Sequence, residues 1–231
     1  MPDTSALPSR TILAEITLLY VFSLVLTFLS HQTGSGIMAD LTYAALIFAL
    51  MGLPWVCIRF WHRRDPALHG TDIAWSWSDA GKGLLTIALL VIPVAAGAYA
   101  YNVLWLGHTF HFSWQNYAPI ASTLPNLLFT HLLLIALPEE FFYRGYVQSN
   151  LLAVLAKTPK TARLAPQLAV LLTAAAFAFA HVTTGQWGRL VTFFPGLLFG
   201  ALRLKSDNIV GCVLCHALAN MLMIVLGVHF F

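Results

Sequence analysis

The chain is built from long apolar runs separated by short polar connections. A membrane-spanning helix needs about 20 mostly apolar residues. Seven runs reach or approach that length: Thr11–Ser30, Ile37–Phe60, Leu84–Leu106, Leu124–Leu152, Pro166–Val182, Leu190–Leu204 and Ile209–Phe231. The fifth and sixth are short, so they are expected to be tilted, broken or extended into their flanks. The pattern predicts an all-α, polytopic integral membrane helical bundle of about seven transmembrane helices, within a range of roughly six to eight. No internal repeat, low-complexity tract or second domain interrupts it, so residues 1–231 read as a single transmembrane domain. The second connection carries Asp72–Ile73–Ala74–Trp75–Ser76–Trp77, whose tryptophans suit the headgroup region and predict a short interfacial helix leading into the third span.

Composition agrees with the pattern. Apolar residues make up 59% of the chain and charged ones 9%, against about 25% charged in ordinary soluble domains. The net charge of +3 is small and spread over loops, so no nucleic-acid partner is expected. The basic residues act instead as topology signals. Arg10 precedes the first run; Arg59, Arg63, Arg64 and Lys82 bracket the second connection; Lys157, Lys160 and Arg163 lie in the fourth; Arg203 and Lys205 lie in the sixth. The first and third connections have no Lys or Arg, and the fifth has only Arg189. The positive-inside rule then puts the N-terminus in the cytoplasm, with a prokaryotic cytoplasmic membrane the expected location. Seven spans leave the C-terminus on the far side; an even count returns it. The first run is longer than a signal-peptide core of about 7–15 residues and is expected to be a retained span. Cys57, Cys212 and Cys215 all lie in apolar runs, so no disulfide framework is implied.

Against this background the polar residues inside the runs stand out. Glu139, Glu140 and Arg144 sit in the fourth run, where a charge costs roughly 2.5–3.5 kcal/mol at bilayer depth. Such a cluster is by default a functional site facing protein or water. On an α-helix Glu140 and Arg144 share a face at i, i+4 and Glu139 is rotated from Glu140 by about 100°, so one carboxylate can pair with Arg144 while the other points elsewhere. A paired carboxylate stays ionised. One in a poorly solvated pocket is pushed towards the range of a general base. His181 lies four residues after Phe177 in a run of small residues that permits close helix approach. His216 and Asn220 share a helical face and can both donate to a developing oxyanion. As a purely structural alternative, these groups are interhelical locks and hydrogen-bond glue.

Other patterns carry less. Cys212–Val213–Leu214–Cys215–His216 has the C-x-x-C-H form of haem attachment, but it lies inside an apolar run, where packing is the expected role of both cysteines. His108 and His111 form H-x-x-H in the third connection with no further ligands near, and a solvated loop is the default. His131, two turns before Glu139, is a possible supporting residue; His31, His62, His69 and His229 fall at span ends or in loops.

Three motifs therefore occur in order on three runs: Glu139–Glu140 with Arg144, Phe177 with His181, and His216 with Asn220. Together, over about Pro125–Val225, they resemble the CPBP family of intramembrane proteases, the CAAX prenyl protease 2, bacteriocin-processing or Abi group. The resemblance implies a helical-bundle peptidase with its site inside the membrane. Glu139 would be the general base that activates water, helped by His181; Glu140 and Arg144 the supporting pair; His216 and Asn220 the oxyanion-stabilising pair. It implies a glutamic-type mechanism without a cofactor, and the chain lacks the zincin pattern H-E-x-x-H. A divalent metal, if used, would take Glu139, His181 and His216. The expected partners are the lipid bilayer and a peptide or protein substrate bearing a lipid or hydrophobic tail, for CAAX-like processing, peptide maturation or sorting-tail removal. The competing reading is a non-proteolytic membrane protein of the same fold: an immunity factor, a scaffold or a small transporter.

Overall fold

The structure, a computed structural model, describes residues 7–63, 70–157, 159–183 and 185–230. It is all-helical, with no strand among the described residues. Six helices are long and apolar enough to cross a membrane by length and composition: α1 (Ser9–Gln32), α2 (Ile37–Trp61), α3 (Trp77–Trp105), α4 (Trp114–Ala156), α5 (Ala162–Val182) and, after a shorter α6 (Phe193–Leu204), α7 (Val210–Gly227). Leu18, Ile92 and Leu104 are 70%, 78% and 77% exposed on these helices, a surface that only lipid covers without large cost. The chain is an integral membrane protein.

The differences from the sequence expectation have local causes. The expected sixth span is a 3-10 turn, Trp187–Thr192, followed by the 12-residue α6, which falls short of a span by itself. Arg189 and Pro195 interrupt the apolar run there. Among the described residues, 72–76 form no interfacial helix. Asp72 Oδ1 accepts from Ala74 N at 2.7 Å, an Asx turn that competes with helix. The neighbouring carbonyls are taken by the connection after α6: Ile209 N donates to Asp72 O, and Asn208 Nδ2 to Ala74 O at 2.8 Å. Helix α3 then starts at Trp77, earlier than expected, because the Ser76 hydroxyl caps it by accepting from Asp79 N at 3.2 Å. Arg64, His69 and Phe231 lie outside the described residues.

The chain divides into two compact units: Met1–Ala74 with Pro138–Ile209, and Trp75–Leu137 with Val210–Phe231. The boundary falls inside α4. The first unit holds α1, α2, the second half of α4, α5 and α6 around a core that includes Ile16, Leu19, Ile58, Phe142, Tyr146 and Phe177. The second half of α4 contains a π-helical stretch, Phe141–Gln148, directly after the two glutamates. π turns inside α-helices are frequent at functional sites.

The second unit packs α7 against α3 and the first half of α4. The α3–α7 crossing is backbone on backbone. A Cβ on Gly83 would lie 2.3 Å from Gly211 O, and one on Gly211 2.4 Å from Asp79 O. We predict that Gly211→Ala, which forces this crossing apart, destabilises the protein by about 1–3 kcal/mol. Gly97→Ala, with nothing within 4 Å of the new methyl, leaves stability unchanged or slightly higher. Thermal unfolding of the two variants in detergent checks this.

Candidate active site

Glu140 and Arg144 are both 0% exposed. The Arg144 guanidinium donates from Nη1 to Glu140 Oε1 at 2.9 Å and from Nη2 to Gly196 O at 3.2 Å. It also lies over three aromatic faces, 4.5 Å from the Phe177 centroid, 5.2 Å from Phe199 and 5.9 Å from Tyr143. A desolvated cation over a ring gains roughly 2 kcal/mol. The cage therefore offsets part of the cost of burying the charge. The pair is the one expected from i, i+4 spacing, Glu140 with Arg144. Glu139, one position back and so rotated to another face, is half-buried.

Helix α6 reaches Arg144 because it is thin there. A Cβ on Gly196 would already meet Ala174 at 3.2 Å, and one on Gly200 would meet Val170 at 2.9 Å. One turn past Arg144, Gln148 Nε2 donates to Gly200 O at 2.9 Å. Two glycine carbonyls four residues apart thus receive two donors four residues apart on α4.

Phe177 links this cage to His181. Its ring packs edge-on against Tyr143, with centroids 5.2 Å apart, and lies 4.6 Å from the His181 ring. Its carbonyl is 2.8 Å from His181 Nδ1. A carbonyl only accepts, so Nδ1 carries the proton, and in the neutral ring Nε2 keeps its lone pair. Helices α4 and α5 are joined by a short connection and run antiparallel. Glu139 is one turn before Tyr143 and His181 one turn after Phe177, so the Tyr143–Phe177 contact sets the carboxylate and the imidazole at one level. Tyr43 of α2 and Tyr143 are both within electrostatic reach of Glu139.

In the second unit His216 is buried and Asn220 half-buried, one turn apart on the unbroken helix α7. His131 lies within electrostatic reach of His216. Its sequence relation to Glu139 gave no sign of this neighbour. Cys212 and Cys215 are free thiols with 0% exposure, packed inside α7 rather than presented for attachment.

His229 and His108 have structural partners. His229 Nε2 is 2.6 Å from the Tyr117 hydroxyl, and its Nδ1 donates to His111 O at 3.1 Å, amid Phe110 and Phe112. His108 Nδ1 is 3.2 Å from Asn102 Oδ1. H-x-x-H thus lies in a loop with His111 exposed, as expected, and its backbone is tied to His229. Among the described residues, no three His, Cys, Asp or Glu side chains are grouped so as to hold a metal ion. The sequence reading passes over Glu15, although an acid inside an apolar run is the same signal that marks Glu139. The structure buries Glu15 against His62 and Tyr146.

Compared with known proteins, residues 121–222 match the family model described as Type II CAAX prenyl endopeptidase Rce1-like. No curated protein and no solved structure matches the chain.

Removing the cation from the cage tests its weight. Arg144→Met leaves the Glu140 carboxylate buried without its ion partner, which costs about 3–5 kcal/mol. Arg144→Lys recovers only part of the loss, because an ammonium lacks the fork that reaches both Glu140 and the Gly196 carbonyl. Thermal unfolding in detergent is expected to rank wild type above Arg144→Lys, and that above Arg144→Met.

Proposed function

We propose, from the match of residues 121–222 to the Type II CAAX prenyl endopeptidase Rce1-like family model, that this chain is an intramembrane endopeptidase of the CPBP/CAAX protease family and that Glu139 is the general base that activates water for peptide-bond hydrolysis. The observation that carries this reading is the division of the two carboxylates. Arg144 takes Glu140 at 2.9 Å, and Phe177 sets His181 level with Glu139. Glu139 removes a proton from water, and the hydroxide attacks the scissile carbonyl carbon. His181, with its Nδ1 proton held by the Phe177 carbonyl, turns the basic Nε2 to the reaction and assists the proton transfers. The proton taken from water ends on the leaving amine as the carbon–nitrogen bond breaks. His216 and Asn220 supply the donors for the tetrahedral oxyanion. Water adds its hydroxyl to the carbonyl carbon and its hydrogen to the amine, so the step balances with no further reactant.

The substrate class that suits this site is a membrane-associated peptide with a lipid or hydrophobic tail, cleaved near that tail. Support comes from the family description and from the buried setting of the charged cluster within apolar helices. The N-terminus is taken as cytoplasmic, because Arg10, the Arg59 and Arg63 pair, and Lys157, Lys160 and Arg163 lie at its own side of the first, second and fourth spans.

Purified protein in liposomes, supplied with an internally quenched farnesylated peptide ending in a C-a-a-X sequence, tests the chemistry. His181→Ala is expected to lose cleavage. Asn220→Ala is expected to lose about 10²–10³ in kcat, the usual effect of one oxyanion donor. Both should insert and unfold like wild type. A fully active His181→Ala enzyme contradicts the role assigned to the imidazole. For the metal, prolonged dialysis against 1,10-phenanthroline is expected to leave the rate unchanged. Loss of activity that zinc restores would instead assign Glu139 and the histidines as ligands.

A further inference from the structure

Helix α1 lies wholly outside the matched segment 121–222, yet it is hydrogen-bonded to both helices that carry Glu139 and His181. Near its start, the Glu15 carboxylate accepts from the Tyr146 hydroxyl on α4 and from His62 Nε2 at 3.0 and 3.1 Å. His62 stands at the end of α2 and is 3% exposed; Tyr146 is 0% exposed. Five residues further along α1, the Tyr20 hydroxyl donates to Ala176 O of α5 at 2.8 Å. Tyr146 is two turns past Glu139, and Ala176 immediately precedes Phe177, whose carbonyl holds the His181 ring.

Packing between α4 and α5 excludes water but constrains axial sliding weakly, since Ala, Val and Phe contacts are non-directional. A hydrogen bond fixes position along the axis, and one residue of slip is about 1.5 Å. A misplacement of about 1 Å at a reacting group can cost 10²-fold in rate. Two bonds from one rigid helix, about five residues apart, tie α4 and α5 to a common ruler. The carboxylate end of that ruler is anchored to α2 as well. Phenylalanine would fill the same space at Tyr20 or Tyr146 without any bond, so the hydroxyls are there for direction rather than for volume.

We propose that α1 is a register clamp, with Glu15 and Tyr20 as positioning residues that hold Glu139 and His181 at the same level. This rests on the catalytic reading of those two residues, but its geometry can be measured without turnover. The readout is the NMR chemical shift of the His181 ring at fixed pH in selectively labelled protein. In otherwise wild-type protein, Glu139→Gln should move the His181 ring resonances, because the clamp holds the two groups at one level. In the Tyr20→Phe/Tyr146→Phe background, with the melting temperature within a few degrees of wild type, that movement should fall by at least half. No Glu139-dependent movement in wild type, or equal movement in both backgrounds, overturns the clamp.

The kinetic arm uses the farnesylated C-a-a-X peptide. The double variant should lose 10-fold or more in kcat with KM within two-fold. Glu15→Gln, which keeps an oxygen for the Tyr146 hydroxyl, should retain more kcat than Glu15→Ala. A double variant that turns over at the wild-type kcat also overturns the clamp. Absence of cleavage by wild type counts against the proposed chemistry alone, and the NMR arm still decides the clamp.

Discussion

A guanidinium and a carboxylate with no exposed surface cannot stand inside an apolar bundle unless everything around them is arranged to compensate. Isolated, each buried ion carries a penalty of several kcal/mol after relaxation. In this bundle Arg144 meets Glu140, the Gly196 carbonyl and the faces of Phe177, Phe199 and Tyr143. Those partners come from α4, α5 and α6, so three helices are fixed by one side chain. Phe199 and Gly196 have to come from a helix that approaches closely, and this explains α6: too short for a span by itself, with glycines where Arg144 and Gln148 need bare carbonyls. The ion pair also separates two adjacent acids by task. Arginine neutralises one, and the other is left on a different face of the helix.

Phe177 has two roles in this arrangement. Its ring is the nearest face under the guanidinium, and its carbonyl fixes the tautomer of His181. The aromatic residue and the histidine four positions on are thus a mechanical unit, which accounts for their spacing. The second unit has a separate logic. It is organised by the glycine crossing of α3 and α7, which lets an unbroken helix present His216 and Asn220 one turn apart.

Much of this was legible in the sequence, for physical reasons that differ by element. The spanning helices follow from transfer free energy, which apolar runs report directly; six of the seven expected runs overlap long helices, although α3 and α4 begin earlier than their runs and α7 lies within the last. The candidate residues were legible because charge in an apolar run is expensive, and i, i+4 spacing is geometry. What could not be read is whatever depends on a distant partner. The pairing of Arg144 with Glu140 is local, at i, i+4, but its further partners Gly196 and Phe199 on α6 are not legible. Residues 72–76 are non-helical because Ile209 and Asn208 take the carbonyls of Asp72 and Ala74. The π turns leave no composition signal. Glu15 was visible by the same rule as Glu139, yet its partners His62 and Tyr146 lie 47 and 131 residues away.

The central claim is that this membrane protein hydrolyses peptide bonds through Glu139. The most direct measurement is quantitative mass spectrometry of peptide termini in membranes from cells expressing wild type or Glu139→Gln at equal levels. Wild type should generate new termini next to lipidated or strongly apolar segments, and these should be missing with Glu139→Gln. Identical sets of termini in the two membranes, or cleavages that persist with Glu139→Gln, would contradict it.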